Sequence, residues 1–145
     1  MSLSTTLLAD DVRPRVVADL VEVVRQEIHD KKGLSGATVK TAYAAATKVM
    51  PDLVQRGVTG LLPAFATALD PFWDDFKAAN GADFGTYLAE RGPEASTALL
   101  AVTDERVKAS RREPIKKAYG ALRGKASNHV EAALPRLGST VQRYA

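Results

Sequence analysis

Hydrophobic residues recur with a helical period along most of the chain. Residues 14–31 show this clearly, because large apolar side chains return every three or four positions between charged and amide ones. These apolar positions are Val17, Leu20, Val21, Val24 and Ile28. No stretch shows the convincing alternation of apolar and polar residues that a half-buried strand requires. The pattern therefore predicts an all-α protein.

The central segment Gly57–Leu69 carries no charge between Arg56 and Asp70. Its large residues share one helical face (Val58, Leu61, Leu62, Phe65 and Leu69), and its small residues form a second stripe (Gly57, Gly60, Ala64 and Ala68). A helix without a polar side is expected to be buried, and the small stripe would let a second helix approach closely. Pro63 predicts a kink or a restart near Gly60–Leu62.

Proline, glycine and capping residues mark the expected helix boundaries. Helices are predicted to start at Asp11–Pro14, Ser35, Asp70–Pro71, Asp83, Gly92–Pro93 and Glu113–Pro114, and to stop at Lys31–Gly33 and Asn80–Gly81. Ser35 is the expected cap of the second helix, with Leu34 and Val39 packed as a hydrophobic staple. Pro135 is expected to interrupt the last helix. The boundaries predict a single domain over 1–145, a compact bundle of six or seven helices around the kinked, fully apolar central segment.

Six of the nine aromatic residues fall between residues 65 and 87: Phe65, Phe72, Trp73, Phe76, Phe84 and Tyr87. We expect them to form the bulky part of the core beside the central segment, because each buries a large apolar area. A pocket beside this cluster would favour a small-ligand carrier or an enzyme.

Two segments of the chain are alike. Val39–Ala45 matches Ile115–Ala121, and each is followed by a Leu-Pro pair, Leu62-Pro63 and Leu134-Pro135. The spacing from the tyrosine to the proline is 20 residues in the first segment and 16 in the second. A duplicated helical hairpin explains the likeness, but alanine-rich amphipathic helices also coincide by chance, and both explanations stay open.

The segments SGATVKTAY, LLPAFATALDPF, LLAVTDERV, KKAYGALRG and HVEAALPRLGS span nearly the full length of the chain. Together they resemble a family of small, uncharacterised all-α bacterial proteins of the high-GC Gram-positive type. The resemblance implies an all-α fold and an intracellular setting. It implies no site residues, because the family has no assigned activity, cofactor or catalytic residue.

The composition excludes several classes of site. The chain contains no cysteine, so disulfides, thiolate metal sites and cysteine nucleophiles are excluded. The N-terminus lacks the basic start and long apolar stretch of a secretory signal, and no window reaches the 18 apolar residues of a membrane span. We therefore expect a cytoplasmic protein with no membrane contact.

The possible catalytic and metal motifs each have a structural explanation. Gly33–Thr41 lacks the glycine before Lys-Thr that a phosphate-binding loop needs. The aspartates of residues 70–75 suit a helix start and lack the spacing of a calcium loop. His29 and His129 lie outside any HExxH-type pattern. We therefore expect no catalytic residue, no metal and no cofactor, and we expect the protein not to be an enzyme.

Charge is distributed unevenly, with a net −5 over residues 1–105 and +8 over residues 106–145. The basic run comprises Arg106, Lys108, Arg111, Arg112, Lys116, Lys117, Arg123 and Lys125. Four of these are candidate phosphate-contacting residues, because they flank an expected exposed corner between two helices: Arg111, Arg112, Lys116 and Lys117. In the alternative, the run pairs internally with the acidic front half, at Asp10, Asp11, Asp19 and Glu22.

These observations favour a non-catalytic helical interaction or scaffold protein that binds a protein partner or itself. The first alternative is nucleic-acid binding through the basic region 106–125, although no aromatic residues interleave with its charges for base stacking. The second alternative is a small-ligand carrier or an enzyme with a pocket near the 65–87 aromatic cluster.

Overall fold

Eight α-helices make up the computed structural model, which describes residues 2–145 apart from the side chain of Ser35. They are α1 (Leu3–Leu7), α2 (Arg13–Asp30), α3 (Gly33–Val49), α4 (Leu53–Ala78), α5 (Phe84–Glu90), α6 (Gly92–Lys108), α7 (Glu113–Arg123) and α8 (Ala126–Gln142). No strand occurs among residues 2–145, so the predicted all-α class is confirmed. The count exceeds the expected six or seven because residues 3–7 are helical and the last periodic stretch divides into α7 and α8.

The hydrophobic core lies between four long helices, α2, α4, α6 and α8. α4 and α8 each pack against both α2 and α6, and the short helices α1 and α5 pack on α4 and α8. α3 and α7 pack mainly against each other. None of their described side chains belongs to the main core cluster, so they form a separate layer beside the four-helix core.

The packing of α1–α4 is repeated by α5–α8. α1 packs on α4 as α5 packs on α8, and α2 contacts α4 and α8 as α6 contacts α8 and α4. The two segments that are alike in sequence lie in α3 and α7, and the two Leu-Pro pairs lie in α4 and α8. The sequence likeness therefore marks a structural repeat in which consecutive helices of each half occupy equivalent places.

Equivalent polar residues hold α1 and α5 in the two halves. The Ser4 backbone N–H donates to Asp70 Oδ1 at 2.9 Å, and the Ser4 hydroxyl donates to Asp70 Oδ2 at 2.7 Å. The Phe84 backbone N–H donates to Gln142 Oε1 at 2.9 Å. Asp70 lies seven residues after Pro63 of α4, and Gln142 lies seven residues after Pro135 of α8. The hydrogen bonds and the sequence thus give the same register for the repeat.

α4 runs without a break through Pro63 and Pro71, so neither the restart expected before the first proline nor the helix start expected at the second occurs. A proline inside a helix leaves the carbonyl four residues earlier without its N–H donor. Those carbonyls belong to Thr59 and Thr67, which are both exposed, so water can hydrate them. The buried face of α4 then holds the helix together across both prolines, through Leu62, Ala66, Leu69, Phe72 and Phe76.

The central segment is not buried on all sides, contrary to the expectation from its lack of charge. Gly60 and Ala64 are exposed, so the small stripe does not receive a second helix. Close helix approach occurs instead between α5 and α8. A Cβ added to Gly138 would lie 2.4 Å from Gly85 Cα, and one added to Gly85 would lie 2.4 Å from the Pro135 carbonyl oxygen.

Two expected helix boundaries are also wrong. α3 begins at Gly33, which has the left-handed φ of 75°, and Leu34 is 91% exposed, so the staple with Val39 does not form. The expected cap by the Ser35 side chain lies outside the described residues. The last stretch breaks at Gly124 rather than at Pro135. Pro135 is exposed, and α8 continues through it because the neighbouring Leu134 and Gly138 are buried against the rest of the fold.

The expected aromatic cluster forms between α4 and α5. The rings of Trp73, Phe76, Phe84 and Tyr87 have neighbouring centroids 5.0–6.3 Å apart, with Trp73 edge-on to Phe84. Phe84 is fully buried and Phe76 is nearly so. These rings fill the end of the core at which α5 packs, as large planar side chains at such distances do.

Candidate functional site

A cavity of about 230 Å³ lies between the four long helices, and both halves of the repeat contribute to its walls. α4 contributes Leu62, Phe65 and Leu69, and α8 contributes Val130, Ala133 and Leu137. Every lining side chain except Thr103 is a pure hydrocarbon. Phe65 of the aromatic-rich region lines the cavity, but the other five aromatic residues of that region do not.

The cavity wall is buried at one end and half-exposed at the other. Leu69 and Val141 are at most 2% exposed, whereas Val58 and Val130 are half-buried. Val58 and Val130 lie near the starts of α4 and α8, just after α3 and α7 in the chain. The accessible end of the cavity is therefore the end at which α3 and α7 join the four-helix core.

A polar cluster of Thr103, Asp104, Tyr119 and Arg123 ties α7 to α6. The Tyr119 hydroxyl donates to Asp104 Oδ1 at 2.5 Å and lies 2.8 Å from the Thr103 hydroxyl. Arg123 donates to both Asp104 oxygens, from Nε at 2.8 Å and from Nη2 at 3.0 Å. The hydrogen bonds from Arg123 and Tyr119 lower the pKa of Asp104, and burial followed by the bond to Asp104 raises the pKa of Tyr119.

A second concave region, which we name the basic groove, lies where the turn between α3 and α4 meets the turn between α6 and α7. Its volume is about 520 Å³. Its apolar lining includes Met50, Leu53, Leu61, Val107 and Ile115, and its cations are Arg56, Arg106 and Arg112. An apolar floor beside a few converging polar groups is the usual composition of a small-molecule site.

Two of the four candidate phosphate-contacting residues line concave regions, and the other two do not. Arg112 lines the basic groove, and Arg111 lines an adjoining depression of about 220 Å³. Lys116 and Lys117 line neither, although both lie on the next turn of α7. None of the four forms an ion pair with any residue that the structure describes.

The acidic front half does not cover these cations. Asp19 accepts a hydrogen bond from the Tyr144 hydroxyl and lies 3.8 Å from Arg143 Nη2, while Glu22 lies 3.9 Å from Arg25 Nη1. Within the basic run, Arg123 is the residue that pairs with a carboxylate, and that carboxylate belongs to α6. The internal pairing expected with Asp10, Asp11, Asp19 and Glu22 is therefore not formed among the described residues.

The other polar candidates have structural partners. Asp75 pairs with Arg91 at 3.1 Å, and Asp74 lies 4.0 Å from Lys77. Burial and the charges of Lys31 and Lys125 lower the pKa of His129.

Within residues 2–145, no group of three or more histidine and acidic side chains is placed to hold a metal ion. No helix in this part of the chain is both long enough and apolar enough to cross a membrane.

Sequence reasoning did not locate the cavity between the four long helices, and it missed the α3–α4 side of the basic groove. Arg106 and Arg112 both belong to the basic run, but Arg56 is 50 or more residues from either, and no spacing rule connects it to them. Small side chains, among them Ala66 of α4 and Ala133 of α8, line the cavity. In an alanine-rich chain such positions carry no signal, because alanine fits the buried and the exposed face of a helix equally well.

No curated protein and no solved structure matches the chain significantly. The model of a family of unknown function, DUF6918, matches residues 3–145. This agrees with the resemblance to small uncharacterised all-α proteins. Because the match covers nearly the whole sequence, the chain belongs to this family of unknown function.

Proposed function

We propose that the protein binds a small, uncharged apolar molecule in the cavity between its four long helices. The observation that supports this most directly is a cavity of about 230 Å³ whose lining is hydrocarbon apart from Thr103. This is the small-ligand alternative, with the ligand in contact with Leu62 and Phe65.

A ligand in this cavity packs against hydrocarbon on most of its surface. In core substitutions, each Å³ of unfilled space costs about 24 cal/mol, because the surrounding side chains lose contacts. A ligand that supplies such contacts therefore gains binding free energy from packing alone.

The lining favours a ligand without charge or hydrogen-bonding groups. The Thr103 hydroxyl is already bonded to the Leu100 carbonyl at 3.0 Å and to the Tyr119 hydroxyl at 2.8 Å. Water is a poor occupant, because it needs two to four polar partners. An engineered apolar cavity of about 150 Å³ binds benzene or xenon. The larger cavity here suits a one-ring or two-ring hydrocarbon or a short alkyl chain.

Titration with toluene and naphthalene tests the proposal. We expect both to bind and to raise the melting temperature. At ten times the dissociation constant the gain is about 1.4 kcal/mol, or about 3–6 °C for a chain of this size.

Ala133→Leu should abolish this binding, because the added carbons occupy the cavity that Ala133 lines. Ala132→Leu is the matched control, since it makes the same change one residue earlier on the exposed face of α8. Binding that is absent in the native protein, or equal in both variants, would refute the proposal.

The interaction or scaffold role and nucleic-acid binding through residues 106–125 stay predictions. The exposure of Leu34 and Val49 at opposite ends of α3 is compatible with a protein partner or self-association, although no contact with a partner supports either. The apolar floor of the basic groove favours a small molecule over a nucleic acid.

A further inference from the structure

We propose that the basic groove binds the anionic head of a small amphipathic molecule, a carboxylate or phosphate group carried on an apolar body. The groove and the core cavity share no lining residue, so this site is distinct from that of the proposed function. Either proposal can fail without the other.

The groove exposes apolar surface beside its cations. Its floor includes Leu53, Leu61 and Ile115, and the adjoining depression shares Met50, Arg112 and Ile115 with it. The depression also contains Val49, which is 65% exposed and is one of two large apolar residues so exposed among those described. An apolar ligand body would cover this surface and remove it from water.

The cations of the groove are poorly neutralised. None of the residues lining the groove itself is acidic, and Glu113 lines only the adjoining depression. Arg56 donates to Asp52 at 2.7 Å, but Arg106 and Arg112 form no ion pair with any described residue. A guanidinium group matches a carboxylate or a phosphate with two parallel hydrogen bonds, so the groove suits an anionic head.

Gly60 leaves room for the Arg106 guanidinium beside α4. A Cβ at Gly60 would lie 2.3 Å from Arg106 Nη2 and 2.6 Å from its Cζ, so the guanidinium occupies space that any other residue's side chain would fill. Glycine inside a helix costs about 1 kcal/mol relative to alanine. In return, Arg106 lies against α4 and lines the groove.

The other half of the repeat offers an internal comparison. Aligning Pro14 of α2 with Pro93 of α6 makes Glu27 equivalent to Arg106. Aligning Pro63 of α4 with Pro135 of α8 makes Gly60 equivalent to Ala132. Glu27 and Ala132 also lie together, in a shallow depression. There Glu27 pairs with Lys31 at 3.5 Å and with Arg136 at 3.1 Å. At this place one half of the repeat has ion pairs to Glu27. At the equivalent place the other half has Arg106, which forms no ion pair with a described residue.

Nucleic acid is a weaker fit to the same cations. No aromatic ring lines the groove, so unpaired bases have nothing to stack on. A duplex would need several cations spread along its phosphates. In the groove, Arg106 and Arg112 form no ion pair with a described residue, and they lie beside apolar side chains.

Calorimetric titration with decanoate, decyl phosphate and decanol tests the proposal. We expect at least one of the two anions to bind and the neutral alcohol to bind at least tenfold more weakly. The double variant Arg106→Gln, Arg112→Gln should weaken anion binding at least tenfold. The double variant Lys32→Gln, Lys40→Gln, at two exposed positions outside the groove, removes the same number of positive charges and should leave anion binding unchanged. All titrations are repeated in Ala133→Leu, so that binding in the core cavity does not contribute.

Gly60→Ala separates positioning from folding. We expect it to weaken anion binding several-fold by displacing Arg106, while the melting temperature stays equal or rises because alanine favours the helix. Equal binding of decanol and the anions, or unchanged anion binding in the double arginine variant, would overturn the proposal. So would duplex DNA that binds through the same arginines while neither anion does.

Discussion

Replacing Ala133 by leucine should stabilise the protein, although enlarging a core side chain usually destabilises. Ala133 lines the cavity of about 230 Å³, so the three added carbons have space to enter. At about 0.8 kcal/mol for each buried carbon, the expected gain is about 2.4 kcal/mol. For a chain of this length that corresponds to a rise in melting temperature of about 5–10 °C.

Urea denaturation of the native protein and three variants measures this gain. Ala132→Leu, on the exposed face, should change the free energy of unfolding by less than about 0.5 kcal/mol. Ala95→Leu places the same atoms at a fully buried position outside the cavity and should cost about 1–3 kcal/mol through overpacking. If Ala133→Leu destabilises as much as Ala95→Leu, the space beside Ala133 is already filled and the cavity argument is wrong.

Three further predictions concern packing, pH and nucleic acid. Gly138→Ala should cost about 1–3 kcal/mol, because its Cβ would lie 2.4 Å from Gly85 Cα; Gly120→Ala, with open space around it, should gain about 0.5–1 kcal/mol in the same thermal melts. Hydrogen bonds from Arg123 and Tyr119 lower the pKa of Asp104, so the stability advantage over Asp104→Asn should be complete above the ordinary value of 3.8 and should fade as the pH drops through the lowered pKa; an advantage that does not diminish at all on acidification below 3.8 would contradict this. Duplex DNA should not bind measurably at about 50 mM salt; a log–log salt slope near −3.6, about −0.9 for each of four phosphate contacts, that flattens when Arg111, Arg112, Lys116 and Lys117 become Gln would instead establish nucleic-acid binding.

The helices were largely predictable because their signals are local. The helix of residues 13–30 has its proline near the start and its apolar stripe at helical spacing. Asp83 caps α5 as predicted, and its side chain accepts a hydrogen bond from the Gly85 N–H at 3.1 Å. Each of these features depends on residues a few positions apart, which is the range over which propensity and capping act.

The failures occur where tertiary packing outweighs a local signal. Pro71 is an excellent first residue for a helix, yet it lies inside α4 because Leu69 and Phe72 are both buried in the same core. Gly60 and Ala64 were expected to meet a helix, but an arginine side chain covers the glycine instead. Sequence spacing cannot reveal such contacts, because Arg106 is 46 residues away from Gly60.

Comparing the two halves of the repeat shows which contacts both halves share and which occur in one half only. Equivalent apolar positions, such as Leu62 and Leu134, are buried in both halves and fix the same packing twice. The halves differ in the polar contacts of α3 and α7: Tyr119 bonds to Thr103 and Asp104, whereas the residues equivalent to Thr103 and Asp104 in the other half are Val24 and Arg25. A valine cannot reproduce that bond, so α7 is held to the core by a polar cluster that α3 lacks among the described residues. The side-chain hydrogen bonds of the described α3 residues lie within α3 itself. Access to the cavity is therefore expected on the side of α3 rather than on that of α7.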